Sequence, residues 1–320
     1  MTVIDTHAHI YSARYMDFLE LHGVDPASTA IARNMNASDE VGEIAERLRQ
    51  MDAAGVDYQV LSTTPQSPYL PDADAAVEAA RMVNDIYAQV IADHPDRFVA
   101  YGAVPFLQPE AAVTEAQRAL DELGFVGIAL NAMIAPDRSV TDEEFLPLFE
   151  ELNRRGAIVY FHPTGNAAFS QPMLSKHLEW VNGAIVEDAV VLLQLMKADY
   201  IRRFPNIRFH IAHLGGDVPF ILQRLEDNYT DWNSMAHSPM EQVKEVWFDA
   251  ANFYPPSLKF AHDHAYDPDK LLAGSDYPYF QEHYYTRAFE YIREAGLGAA
   301  DEHKVLEENA RALYGDIFSR

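Results

Sequence analysis

The chain has 320 residues, 48% of them apolar and 12% aromatic, enough to bury a large core either as two ordinary domains or as one α/β barrel. Its 24 lysines and arginines stand against 49 aspartates and glutamates, a formal charge of -25 that repels phosphate backbones and anionic headgroups and so argues against nucleic-acid and membrane-surface roles. With no cysteine there is neither a disulfide nor a thiolate ligand, and any metal must be held by histidine and carboxylate.

The sequence is strand-like from its first residues, MTVIDTHAH, with no basic segment leading into an apolar one, and the run AVVLLQLM is too short to span a bilayer. A soluble, reducing, cytoplasmic setting is the expectation. Short apolar runs rich in branched residues then recur in order: TVID, YQVLST, FVAYGAV, FVGIALN, AIVYFH, IRFHIAH, EVWFDAA and LLAGSD. Helical periodicity fills most of the intervals. In DEVGEIAERLRQMDAAGV, Val41, Ile44, Ala45, Leu48 and Met51 follow the i, i+3, i+4, i+7 rule, and Gly55 is placed to end the helix. Thr141 and Glu144 form a capping-box signature in TDEEFLPLFEEL.

Nearly continuous apolar strands alternating with amphipathic helices predict parallel strands covered outside by helices, and eight of them predict a (β/α)8 TIM barrel. The competitor, an open doubly wound sheet, lacks a G-x-G-x-x-G after an early strand. No linker, composition break or charge block divides the chain, so residues 1–320 read as a single domain. Two connections are long: about Ile10 to Asp39 after strand one, and about Pro163 to Pro205 after strand five. Loops after strands sit on the catalytic face of a barrel, so these two are the expected pocket walls.

Polar residues stand at the ends of four of these strands. His7 and His9, at i and i+2, point the same way from strand one; His162 ends strand five, His213 strand six and Asp276 strand eight. In a parallel barrel these ends converge on one rim. Three imidazoles and a carboxylate suit Zn²⁺, Mn²⁺ or Fe²⁺ with a coordination position left open, which makes His7, His9, His162 and Asp276 the expected ligands and His213 the expected general acid/base. Strand four, GIALNAMIA, ends without lysine, aspartate or glutamate, so a mononuclear site is expected. A lone histidine in an apolar strand is more often a hydrogen-bonded core group. The joint pattern, rather than any one residue, carries the metal site.

The remaining histidines read as lying outside the site. His22, His94, His237, His283 and His303 fall in helical or loop context and read as surface groups, and His262 with His264 falls in what reads as a solvated loop. His210 is expected on the opposite side of its strand from His213, packed outward. His177 and Trp180, in KHLEWVNG of the fifth loop, and Tyr277 and Tyr279, just after Asp276, are candidates for substrate contact.

With those residues in place the chain resembles the amidohydrolase superfamily, and within it the branch of metal-dependent, non-oxidative decarboxylases that includes the aminocarboxymuconate-semialdehyde enzymes. The resemblance runs almost end to end, through RLRQMDAAGVDYQVLSTTP, HPDRFVAYGAVPFLQPEAAV, ELGFVGIALN, FPNIRFHIAHLGGDVPFILQRL, WFDAANFYPPSLKF and LLAGSDYPY. At strand five HPTG is more similar to the hydroxybenzoate-type decarboxylases, and the family's H-G-G-G run reads HLGG. The resemblance implies one divalent metal, Zn or Mn, on His7, His9, His162 and Asp276, a catalytic His213, and a homodimer. It also implies carboxy-lyase action on a small aromatic or unsaturated acid, with Asp276 assisting the proton transfer and Arg33, in IARNMNAS, as the candidate clamp for the substrate carboxylate. A metal-dependent hydrolase of a lactone or amide uses the same residues and is the alternative, and a metal-binding barrel without turnover is the third reading.

Overall fold

A computed structural model describes residues 2–232 and 234–319; positions 1, 233 and 320 of the expected domain lie outside the described residues. Each of the eight predicted runs carries a strand: β1 (Ile4–His9), β2 (Tyr58–Ser62), β3 (Phe98–Gly102), β4 (Gly127–Asn131), β5 (Ile158–His162), β6 (Arg208–Ile211), β7 (Trp247–Asp249) and β8 (Leu271–Leu272). They pair in chain order, every neighbour parallel. The sheet closes where Thr6 N–H donates to the Ala273 carbonyl at 2.9 Å and Asp276 N–H to the His7 carbonyl at 2.9 Å. This is the expected (β/α)8 barrel.

Both faces of these strands are buried, which is why they read as continuous apolar runs. Ile4, Val60, Tyr101, Ala129, Tyr160 and Leu272 fill the interior, and Leu313 and Tyr314 of the C-terminal helix pack beneath them. Outward-facing Val159, Phe161, Phe209 and Ile211 pack in the helix layer. Each such side chain contributes about 1.5–3 kcal/mol by leaving water. Among the described residues nine helices have eight or more residues: α1 (Ala13–Leu21), α2 (Pro26–Arg33), α3 (Val41–Ala54), α4 (Ala73–Asp93), α5 (Pro109–Asp121), α6 (Leu146–Arg155), α7 (Ala184–Lys197), α8 (Val218–Asn228) and α9 (His283–Glu294). None of the helices described is long and apolar enough to cross a membrane.

The register of β1 decides where the site forms. Asp5 pairs with Gln59 and Ala8 with Leu61, so three steps on β1 face two on β2, a β-bulge. Ile4 belongs to the barrel interior, and strict alternation would then turn His7 and His9 outward. The extra residue reverses the parity, and both imidazoles reach the rim.

Local details differ from the sequence reading in three places. Helix α3 does end at Gly55, in the left-handed region at φ 69°, but its buried face is Ile44, Arg47, Gln50 and Met51, while Val41 and Ala45 are exposed. The capping box at Thr141 does not form: Thr141 Oγ1 lies 2.8 Å from Ser139 Oγ, Glu144 pairs with Arg138, and a short turn at Glu143–Phe145 precedes α6, whose second residue is Pro147. His262 is not in a solvated loop; it sits in a wide helical turn, Ala261–Ala265, between Asp263 and Asp301.

Candidate metal centre and its pocket

Strands β1 and β5, and the segment following β8, bring His7, His9, His162 and Asp276 together, all four buried, with one ligand atom from each lying within 4.8 Å of the others. Asp276 Oδ1 stands 3.2 Å from His7 Nε2, 3.3 Å from His9 Nε2 and 3.8 Å from His162 Nε2. The opposite nitrogen of each ring has its own partner. His7 Nδ1 faces Asp249 at 3.1 Å, His9 Nδ1 meets Ser62 Oγ at 3.0 Å, and His162 Nδ1 donates to the Pro163 carbonyl at 2.7 Å. Such outer partners fix the tautomer and leave Nε2 as a lone-pair donor. His7 Nε2 and His162 Nε2 are buried without a hydrogen-bond partner. Three Nε2 atoms and a carboxylate oxygen converging on one point, two of them orphaned, fit a single divalent cation.

Electrostatics of the metal-free cluster point the same way. Burial pulls His9 down to about 4 and His162 well below its ordinary value, so both stand ready as neutral ligands. His7 is also buried, but the charges of Asp249 and Asp276 outweigh that and raise it to about 9. Asp276 is held well below the carboxylate range, because His7 and the neighbouring imidazoles overcome the cost of burying it. Its backbone, at φ 56°, and that of His213, at φ 50°, occupy the left-handed region that L-residues avoid, strain of the kind that collects at working sites.

His213 stands beside the four. Its Nε2 lies 3.5 Å from Asp276 Oδ2, and its Nδ1 lies 2.9 Å from Asp188 Oδ2 on α7. Burial lifts the Asp188 carboxyl to about 7; burial opposes a charge on His213 too, but Asp188 and Asp276 raise its basicity well above the ordinary value. The pair therefore keeps a proton at neutral pH. His210, expected to pack outward, is instead inside the barrel. It is fully buried, 3.2 Å from Asp249 Oδ2 and 3.0 Å from the Tyr101 hydroxyl. β6 ends at Ile211 and the backbone turns at His213, so strand parity does not relate the two histidines.

A cavity of about 420 Å³ opens over His162, His213 and Asp276. Its other walls come from the connection after β5 (Trp180, Val181, Ile185) and from the segments after β7 and β8 (Asn252, Phe253, Tyr279, Phe280). Trp180 and Tyr279 face each other with centroids 5.8 Å apart, and Tyr279 is tied through Tyr11 to the Thr64 carbonyl. Gly165, at φ 74°, lies against the Trp180 indole, where a Cβ would overlap the ring.

Of the expected substrate contacts, Trp180 and Tyr279 line the cavity and three others do not. Arg33 closes α2 by pairing with Glu20 at 2.8 Å and Asp17 at 2.7 Å, a local ion pair on helices α1 and α2. His177 is 91% exposed and 3.8 Å from Glu179. Tyr277 is buried behind the rim under the Arg47 guanidinium, 4.3 Å away, and Tyr279, two residues on, takes the place on the pocket wall. Sequence reasoning also missed the supports. Asp249 was within reach, since it ends β7 as the other site residues end their strands; Asp188 lies in an apolar helix with nothing local to mark it. Arg47 is fully buried, bonded to the His9 carbonyl and to Gln59, which in turn donates to Asp5 at 2.9 Å.

A barrel with one histidine-rich carboxylate cluster at the carboxyl ends of its strands defines a class of metal-dependent enzymes, and the chain belongs to the amidohydrolase family, whose model matches residues 4–315. It is 28% identical to a 2-amino-3-carboxymuconate-6-semialdehyde decarboxylase from Dictyostelium discoideum, over 86% of this chain and 81% of that one. It is also 28% identical to a gamma-resorcylate decarboxylase from a Rhizobium species, over 84% of this chain and 86% of that one. Among solved structures, a dihydroxybenzoic acid decarboxylase from a Polaromonas species, with bound manganese and the inhibitor 2-nitroresorcinol, superposes with a TM-score of 0.80 at 23% identity, covering 98% of this chain and 96% of that one.

Proposed function

We propose that this chain is a metal-dependent, non-oxidative decarboxylase of small aromatic carboxylic acids, with His7, His9, His162 and Asp276 holding the ion and His213 handling the proton. The observation that carries the reading is the convergence of those four side chains, each imidazole with an outer partner fixing its orientation, beside an aromatic-lined cavity. The named activities of the relatives support the same reaction. A bound divalent cation would supply Lewis acidity and a template for a carboxylate and an adjacent oxygen. Manganese is the favoured ion, on the strength of the Polaromonas structure.

The protein's own share is positioning and proton transfer. Loss of CO2 leaves an electron pair on ring carbon, so the reaction goes more easily if that carbon is protonated first; one proton enters for each CO2 that leaves. His213 Nε2 is aimed at the cavity and its Nδ1 is anchored to Asp188, an arrangement suited to delivering that proton. Asp276 Oδ2, 3.5 Å from His213 Nε2, holds the imidazole toward the site. Trp180, Phe253 and Phe280 exclude water around the ring and favour a flat apolar body.

The test is CO2 release from hydroxylated benzoates by protein stripped of metal and reloaded separately with Mn²⁺ and Zn²⁺, with His7→Ala as control. Metal-dependent CO2 from any of them upholds the reading; silence with metal bound sinks it in favour of lactone or amide hydrolysis. A homodimer and a cytoplasmic location complete the proposal, checked by light scattering and cell fractionation.

A further inference from the structure

Resting on that reading, we propose that the pocket selects aromatic acids bearing a single carboxylate, and that Asn252 reads an uncharged polar group elsewhere on the ring. The charge inventory leads there. Among the described residues no lysine or arginine lines the cavity. Arg33 is committed to Asp17 and Glu20, and Arg47 is sealed behind the rim. The positive charge that would meet a substrate is that of the bound ion, at the Asp276 end of the cavity. A second carboxylate would lie against Trp180, Val181, Ile185, Phe253 or Phe280, stripped of water and without a counter-charge. The formal charge of -25 on the chain adds a long-range penalty for each further negative charge brought in.

The same walls offer two uncharged polar side chains. The Tyr279 hydroxyl is 3.2 Å from Tyr11. Asn252 is half-buried, its backbone N–H fixed to the Ala250 carbonyl at 2.7 Å, and among the described residues its side-chain amide has no hydrogen-bond partner. A free amide on an otherwise apolar wall can donate to and accept from a hydroxyl, and it offers nothing to neutralise an anion. The pocket thus distinguishes between its two named relatives' substrates, being built for a resorcylate rather than for a carboxymuconate.

The experiment compares position-matched salicylates carrying either a hydroxyl or a second carboxylate at the same ring carbon. Binding of non-reacting nitro analogues to the manganese-loaded protein is followed by calorimetry, and CO2 release is followed separately. We expect the monoacid to bind at least about tenfold tighter than its diacid partner. Asn252→Ala should lose roughly tenfold for the hydroxylated ring and little for unsubstituted salicylate, and Asn252→Lys should narrow or reverse the preference against the diacid. Equal affinity for both members of each pair in the wild type, or an Asn252→Ala loss that ignores the hydroxyl, overturns the proposal. CO2 released equally from both acids would sustain the decarboxylase reading while sinking this one. Selective monoacid binding without CO2 would do the reverse.

Discussion

The metal rim and the wall contributed by the fifth connection meet at one cavity but are built differently. Rim residues sit at or just beyond strand ends, and each imidazole is locked by an outer partner: Asp249, Ser62, the Pro163 carbonyl or Asp188. The fifth wall is chain between elements, with backbone at positive φ at Ala167, Ala168, Phe169 and His177, and with Trp180 leaning on a glycine. Chemistry is placed where the fold is least able to vary, and shape selection where it can change without loss of the barrel.

That contrast is broken most severely at the rim. His162→Ala or Asp276→Ala should abolish retention of metal, read by elemental analysis after gel filtration, and with it CO2 release. His213→Ala should keep its metal and lose on the order of 10²–10⁴ in kcat. The supports should separate by metal: Asp249→Asn, at the carboxylate that meets His7 and the His213 backbone, should weaken metal affinity about 10–100-fold, whereas Asp188→Asn should spare metal and lower kcat by a similar factor through His213. A metal titration beside single-turnover kinetics distinguishes these outcomes. On the loop side, Gly165→Ala should displace Trp180, raise KM roughly tenfold and shift the tryptophan emission while metal content stays whole. Retained emission and KM would detach the wall from the glycine.

The smallest effect is expected far from both regions. Glu307 accepts from the Thr2 N–H at 2.7 Å and from Arg311 at 2.9 Å, tying the start of the chain to its last helices. Burial alone would raise its carboxyl, but His303, Thr2 and Arg311 bring it down to about 2 from an ordinary value of 4.5. A group whose folded value is depressed stabilises above its unfolded value and loses that contribution as pH falls toward the folded one. Glu307→Gln should therefore lower the melting temperature slightly near neutrality and flatten its fall between about pH 4.5 and 2.

The strands and the rim were readable because both rest on short-range pattern plus one topological rule: branched runs make strands, and parallel strand ends converge. What escaped depends on contacts that pattern does not carry. Asp188 becomes a site residue only because α7 packs across His213, and Arg47 only because its helix turns that face inward against Tyr277. Arg33 was misplaced because loop length says nothing of which carboxylate an arginine meets first; Asp17 and Glu20 lie nearer in space than the cavity. His210 failed for a different reason, since parity was extended one turn past the end of its strand.

The bulge in β1 makes register part of the catalytic apparatus. Residues can be inserted into the fifth connection at small cost, but if β1 paired residue for residue with β2 from Asp5 onward, both imidazoles would turn from the rim into the helix layer at a stroke. Such a strand would keep every ligand in its sequence and still have half a metal site.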